Sequence, residues 1–505
     1  MLNLKKIIAA ILLILATPLY ANPCGNWLES LPILGGGRIK PLAVHAGETL
    51  KFLTNKRKPQ GEDSVTTYCN LATAYMNHKN IPKLTTPVQH EKIREIMELK
   101  KGQSSIDLMK LADYSTAIRS KYFGEKLDSP YKKALSKQLT RIQITKSIIN
   151  GEDWKIPSDK STTGFRSIKD IFADESDFVA SGRTQLEDAK NAYIAKNGDK
   201  YLVELTYSKL HIFSWAMLLV LAGIFALTLF KSQTPGLVIS LLVIIVQVIG
   251  ISIRVYISGR APITNMYETV MFSGFGALVI GTIIAMVKKE KIFIVCGLAY
   301  NMLCLMMMMF ANSMLSPSIK PLVPVLRSNF WLSTHVTTIM LSYAALALSW
   351  ILANIVLVKK RFKTVEDKEL RYEVTLIHTC IKVGVVLLAA GIILGGIWAD
   401  YSWGRFWGWD PKETWSLIVL LIYMAILHGK QTNWIPPKRF TAMVAGAFMS
   451  VMMAWFGVNY ILASGLHSYG FSEGGAIFLA TFFIIQIAVI VLASFGGKKK
   501  ALPST

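Results

Sequence analysis

From His211 onward the chain contains nine apolar stretches, at about residues 211–230, 236–253, 268–287, 292–310, 331–358, 381–398, 414–429, 440–463 and 474–495. Each approaches the ~20 residues that a helix needs to cross a hydrocarbon layer. A soluble core helix does not repeat this nine times, so the second half is expected to be a bundle of spanning helices. Composition agrees, because 52% of residues are hydrophobic, too many for an ordinary soluble enzyme. The net charge of +23 hints at nucleic acid, but only 17% of residues are charged, which excludes disorder and a nucleic-acid-binding tail as descriptions of the whole. No nucleic-acid partner is expected.

Residues 1–21 read Lys5-Lys6, an apolar run from Ile7, then Pro18-Leu19-Tyr20-Ala21, the pattern of a secretory signal. Leu19 suits a cleavage after Ala21 poorly, so a signal peptide and an N-terminal anchor both stay open. Residues 22–208 are rich in charge, with helix-like patterns such as Lys92 to Leu99, and are expected to form a mostly helical exported domain. Gly35-Gly36-Gly37-Arg38 lacks the Gly-Lys-Ser/Thr ending of a phosphate loop and no clear strand precedes it, so it reads as a turn. The five cysteines fit no CxxC or zinc spacing, and Cys24 and Cys69 suit either pairing or a reduced state.

Orientation follows from the loops, since Lys and Arg near membrane helices stay on the cytoplasmic side. Alternate loops, around Lys231, Lys288, Lys359, Lys430 and Lys498, hold sixteen basic residues, whereas the intervening loops hold six: Arg254, Arg260, Lys320, Arg327, Arg405 and Lys412. The first set is expected in the cytoplasm, which puts residues 22–208 outside, in agreement with the signal-like start. The expected fold class is an all-α polytopic membrane protein of about nine transmembrane helices in a bacterial cytoplasmic (inner) membrane. An extracytoplasmic soluble domain (22–208) precedes the membrane domain (209–497), and a basic cytoplasmic tail (498–505) ends it.

This topology places His335, His467 and a tryptophan-rich loop at 398–415 on the same outer side. Singly, a histidine at a helix end is more often a hydrogen-bonded surface residue, and tryptophans there often form an aromatic belt. A belt, however, needs one or two rings per helix end, and here Trp398, Trp403, Phe406, Trp407, Trp409 and Trp415 crowd one loop around Gly404 and Gly408. Indole faces and close backbone approach suit a large planar apolar ligand. Two imidazoles supply both axial positions of a haem iron, and Arg405 and Lys412 supply partners for propionates. A porphyrin satisfies all these residue types at once.

The run Trp403-Gly404-Arg405-Phe406-Trp407-Gly408-Trp409-Asp410-Pro411-Lys412-Glu413-Thr414-Trp415 resembles the WWD signature of haem-handling proteins, closest to the CcsA (ResC) type of system II cytochrome c biogenesis. Pro262 to Glu268 resembles another segment of that family, and Gly36 to Leu42 resembles, more loosely, the soluble domain of CcsB–CcsA fusions. The resemblance implies a holocytochrome c synthase: haem b crosses to the outer face and is attached there to the CxxCH cysteines of an apocytochrome c. His335 and His467 would be its axial ligands, and Trp403, Gly404, Trp407, Trp409 and Asp410 its binding loop. His428 resembles the transmembrane histidine of an inner haem site, although a histidine snorkelling beside Lys430 fits equally well. Full fusions have further helices with a second such histidine. His211 lies at the wrong end for that part and His378 at the right one, so a separate CcsB/ResB-like subunit is expected, with thiol-reducing proteins as further partners besides the lipid bilayer. The competing readings are a haem exporter that delivers haem without ligating it, a b-type electron carrier, which wants histidine pairs at two depths, and a secondary transporter, which wants broken helices and an inverted repeat. Met306 to Met309 point around a helix and read as packing.

Overall fold

A computed structural model describes residues 24–494 apart from 77–80, 125–128, 162, 173, 231, 312–313, 323–327, 364 and 463–474. The signal-like segment, the basic tail and His467 lie outside the described residues. The chain divides into two compact units, Met1–Leu210 and His211–Thr505.

The first unit is mostly helical, but three two-stranded antiparallel ribbons punctuate it. β1 (Pro32–Gly35) and β2 (Arg38–Pro41) pair Gly35 with Arg38 across Gly36 and Gly37, whose φ of 61° and 82° fit the two positive-φ positions of a tight hairpin. The glycine run is thus a turn, as its sequence indicates. A strand does precede it, one too short to register as a periodic pattern. The helix α1 (Leu42–Thr54) packs on α2 (Ser64–Ala72), which a disulfide joins to the start of the unit, Cys24–Cys69 with Cα atoms 5.5 Å apart. The later ribbons are β3 (Thr85–Pro87) with β4 (Ser105–Asp107), and β5 (Lys155–Pro157) with β6 (Phe165–Ser167). Leu28, Leu50, Tyr68, Trp154 and Phe172 fill one core. At its edge Asp153 Oδ2 meets both His45 Nε2 at 2.9 Å and the Tyr68 hydroxyl at 2.7 Å. Burial by itself raises the Asp153 carboxyl. The hydrogen bond and charge of His45, with Tyr68 and Lys155, outweigh it and hold the group below its ordinary 3.8.

The second unit holds, among the described residues, nine helices long and apolar enough to cross a membrane. Together with the first unit's helices they make the chain an all-α multi-pass membrane protein. They are α3 (Ile212–Leu229), α4 (Thr234–Ser258), α5 (Met266–Lys288), α6 (Ile292–Phe310), α7 (Asn329–Phe362), α8 (Asp367–Trp403), α9 (Pro411–Gln431), α10 (Pro437–Leu462) and α11 (Gly475–Ser494). The helix α7 is central and packs against α5, α6, α8, α10 and α11. The spans of α5, α7 and α10 are 61–72% buried, against 11% for α11, which separates the core of the bundle from its lipid-facing rim.

Helices outrun the apolar stretches because backbone hydrogen bonding does not stop at the first charge. At 1.5 Å per residue the 37 residues of α8 reach about 55 Å, well beyond the ~30 Å of hydrocarbon. Two expectations change as a result. Trp398 to Trp403 are the last turns of α8, so the loop shrinks to residues 404–410. Arg254, counted as a loop charge, lies in α4 and is 1% exposed.

Candidate haem-handling cavity

At one end of the bundle, the starts of α5, α7 and α9 and the ends of α8 and α10 enclose a cavity of ≈ 180 Å³ that opens to the surface. Each wall is fixed by local chemistry. Asn265 caps α5, its Oδ1 accepting the Glu268 N–H at 2.9 Å. Glu268, 1% exposed, accepts from Thr264 N–H and Oγ1 at 2.8 and 2.7 Å and pairs with Arg254 at 2.7 Å. Arg254 also donates to Pro317 O and lies over the Tyr267 ring. This buried pair locks Ile263 to Met266 into the cavity wall. An ionisable pair inside a membrane bundle is a functional signal in itself, yet loop counting treated Arg254 only as topology.

His335 enters from a π-helical segment, Leu332–Val336, at the start of α7. Such segments shift the side-chain register of a helix and recur at functional sites. The His335 ring packs on α8, where a Cβ at Gly395 would fall 2.6 Å from its Cε1. Its Nδ1 lies 2.8 Å from Gly391 O. A carbonyl only accepts, so Nδ1 bears the proton and the lone pair sits on Nε2, the arrangement by which metal-ligating imidazoles are oriented. Trp398, 8% exposed, meets the ring edge-on with centroids 5.8 Å apart.

The short loop comes next. Gly404 ends α8 in the left-handed region at φ 67°, its N–H bonded to Asp400 O at 2.8 Å. Phe406 folds back so closely that a Cβ on Gly396 would lie 2.5 Å from its ring, and Trp407 lines the cavity beside Trp403. Trp409 adopts φ 57°, a left-handed conformation that is a true outlier for so large a residue, and its ring is 70% exposed. Asp410 is buried as the cap of α9, accepting the Lys412 N–H at 2.9 Å, while Glu413 Oε2 accepts the N–H groups of Gly408 and Asp410 at 2.7 and 3.2 Å.

Of the residues singled out in the sequence, the cavity gathers His335, Trp398, Trp403, Phe406, Trp407 and Lys412. Gly404, Trp409 and Asp410 shape the loop from outside the cavity lining, and Arg405 packs over Gly408. His428 is exposed in the last turn of α9, at the opposite end of the bundle, which His378 of the antiparallel α8 shares. Residues missed in the sequence are Trp455 and Asn459, brought in by a second π-helical segment, Met453–Leu462. The indole of Trp455 donates to Thr269 Oγ1 at 3.2 Å, tying α10 to α5.

A multi-pass helical membrane protein with an imidazole and clustered indoles around a cavity at one end of its bundle is the class that the fold and the site define. Comparison makes the assignment narrower. Residues 263–467 match the family model described as Cytochrome C assembly protein, a match that opens in the cavity wall and closes at His467. The chain is 35% identical over 239 residues to the cytochrome c biogenesis protein CcsA of Guillardia theta, covering 42% of this chain and 78% of that one. It is 30% identical over 290 residues to CcsA of Synechococcus sp. (strain CC9605), covering 51% and 95%. It is also 36% identical over 231 residues to protein NrfI of Wolinella succinogenes, covering 44% of this chain but only 24% of that relative's length. The chain belongs to the CcsA family of cytochrome c biogenesis proteins and acts in cytochrome c maturation.

Proposed function

We propose that this cavity holds haem b at the outer face of a bacterial cytoplasmic membrane and presents it for covalent attachment to the CxxCH cysteines of an apocytochrome c, which makes the protein all or part of a holocytochrome c synthase. The observation that supports this most is the Nδ1 bond of His335 to Gly391 O, which directs a ligating Nε2 lone pair within a wall of indoles. His335 is one axial ligand and His467 the other. Trp398, Trp403 and Trp407 flank the ring, and Lys412, with Arg405 nearby, receives propionates. A cavity of ≈ 180 Å³ is smaller than the roughly 300–1,000 Å³ of pockets that enclose small molecules, so haem is gripped at one edge with the other held outward. Outward vinyl groups are what an incoming thiol needs, and the protein contributes orientation.

The basic ends of α7 and α10, at Lys359, Lys360, Arg361, Lys438 and Arg439, lie opposite the cavity, which supports a cytoplasmic position for them and an outer one for the site. His428 marks an inner haem site completed by a CcsB/ResB-like subunit, and thiol-reducing proteins keep the CxxCH cysteines available. The test is purified full-length protein with haem and a CxxCH peptide under reducing conditions. Expected are an imidazole-ligated haem spectrum, lost when His335 and His467 are both changed to Ala, and a thioether product. Haem bound without attachment demotes the protein to a carrier, and maturation that persists in the double variant with no spectral change refutes the ligand assignment.

A further inference from the structure

We propose that Glu413 is the proton acceptor for the cysteine thiol during thioether formation, an assignment that rests on the synthase reading above. The carboxylate is divided in function. Oε2 is committed to the loop through Gly408 and Asp410. Oε1 is buried and has no hydrogen-bond partner among the described residues, and the side chain lines the same cavity as His335. A buried acceptor left unsatisfied costs stability, and an incoming donor is the simplest reason to keep one in a binding cavity. The Nε1 of Trp398, in the same wall, is also buried and unpartnered among the described residues, so the cavity is set for a ligand with polar hydrogens as well as an apolar face.

The chemistry needs such a group. A thiol with a pKa near ~8.5 is mostly protonated at neutral pH, and its thiolate is the nucleophile. The S–H bond breaks and the proton passes to Oε1. The sulfur bonds the vinyl carbon attached to the ring, and the double-bond pair closes a C–H bond at the terminal carbon with the proton that Glu413 returns. No oxidant, reductant or leaving group is involved, and the carboxylate ends as it began. Among the described residues, the other titratable groups facing the cavity are His335 and Tyr343 from α7 and Lys412 from α9, with Arg405 packed over Gly408. His335 has its Nδ1 proton committed to Gly391 and its Nε2 would meet the iron, Arg405 and, at neutral pH, Lys412 are cations, and Tyr343 is a weak base only as phenolate. Glu413 is the acceptor that remains among the described residues.

The discriminating variant is Glu413→Gln, because glutamine also completes a capping box and keeps one carbonyl oxygen for Gly408 and Asp410 while replacing the oxygen in the cavity. Haem loading by absorbance and single-turnover ligation to a CxxCH peptide are measured for parent and variant between about pH 6 and 10, across the thiol titration. Expected are unchanged haem loading, a ligation rate lowered by about 10²–10⁴-fold at neutral pH, and a gap that narrows as the thiol ionises unaided. Parent-like ligation at neutral pH overturns the assignment, as does loss of haem loading in step with the rate, which reduces Glu413 to a loop support. A second measurement uses no variant: parent ligation in D₂O slows by a primary isotope effect, and an unchanged rate also overturns the proposal. If the parent itself loads haem and forms no thioether, the synthase reading fails and this assignment with it.

Discussion

The contact between His335 and α8 can be tested with one methyl group. In Gly395→Ala the new Cβ would fall 2.6 Å from His335 Cε1 and 3.0 Å from Nδ1, closer than side chains tolerate, so either the ring or the helix moves. Overpacking of this kind costs about 1–3 kcal/mol. Rotating the ring away also sacrifices the bond to Gly391 O, about 1 kcal/mol, while alanine in a helix interior recovers about 0.5–1 kcal/mol over glycine. The balance is a net penalty of about 1–3 kcal/mol. If the imidazole is displaced, the penalty falls on haem affinity, ~5–150-fold by the tenfold-per-1.4 kcal/mol relation. If it holds its place, the same penalty appears as lost thermal stability of the haem-free protein. Haem titration followed in the Soret band and thermal unfolding in detergent separate the two. Gly446→Ala is the control, since its Cβ would meet only Ile490 Cδ1 at 3.6 Å and helix propensity alone predicts a slight gain. A Gly395→Ala protein with parental affinity, parental haem spectrum and parental stability would refute the packing argument and, with it, the placement of His335 as a ligand.

Three further outcomes follow from the same geometry. Glu268→Gln leaves the Arg254 guanidinium buried without its charge partner and is expected to destabilise the membrane unit by about 3–5 kcal/mol, with part of the loss recovered when Arg254→Met is added; thermal unfolding of the single and double variants in detergent checks this. Replacing Cys24 and Cys69 by Ala opens a loop of 45 residues in the first unit and is expected to cost about 4 kcal/mol by the chain-entropy relation, read as a lower unfolding temperature for that unit that matches the parent under reductant. The depressed Asp153 carboxyl contributes stability that is fully present above its unfolded value of 3.8 and fades as pH falls through the lower folded value, so Asp153→Asn is expected to be less stable than the parent near neutrality and to converge with it in acid; equal pH profiles would contradict the His45–Asp153–Tyr68 cluster as a source of stability.

Hydropathy made the membrane half legible because lipid imposes one rule on every span, and the nine apolar runs each became a helix. What hydropathy could not place was where helices end. Charged residues such as Arg254 and Lys412 were assigned to loops, whereas the first is buried inside α4 and the second occupies the first turn of α9. The start of α9 is nevertheless written locally, since Asp410-Pro411-Lys412-Glu413 is a capping box with proline in the first helical turn. Gly404 as the left-handed terminator of α8 and Asp410 as the cap of α9 bound the loop at seven residues. In the first unit, ribbons of three or four residues fall below the length at which alternation is detectable, which is why a mostly helical domain was expected without them.

The cavity shows a different limit. Residue type and side of the membrane were enough to associate His335 with the tryptophans, because both arguments depend only on counting spans. Which ring faces inward depends on rotation about each helix, and two π-helical segments change that rotation locally. On a regular helix His335 and Met340 would stand about 500° apart, five steps of 100°. The π segment ends between them, so this offset no longer gives the direction of the imidazole. The sequence does contain a complementary mark on the facing helix: Gly391 and Gly395 are one turn apart, a stripe that accepts a large group from a neighbour. Trp455 and Asn459 lie on the second π segment with no polar motif around them, so only the packed structure brings them to the site. Trp409, between Gly408 and the capping Asp410, stands 70% exposed on a left-handed backbone. A bulky residue in that conformation costs about 1–2 kcal/mol, and the contacts that bracket it are Glu413 Oε2 accepting the N–H groups of Gly408 and Asp410 and the Asp410 cap of α9, while the neighbouring Trp407 lines the cavity.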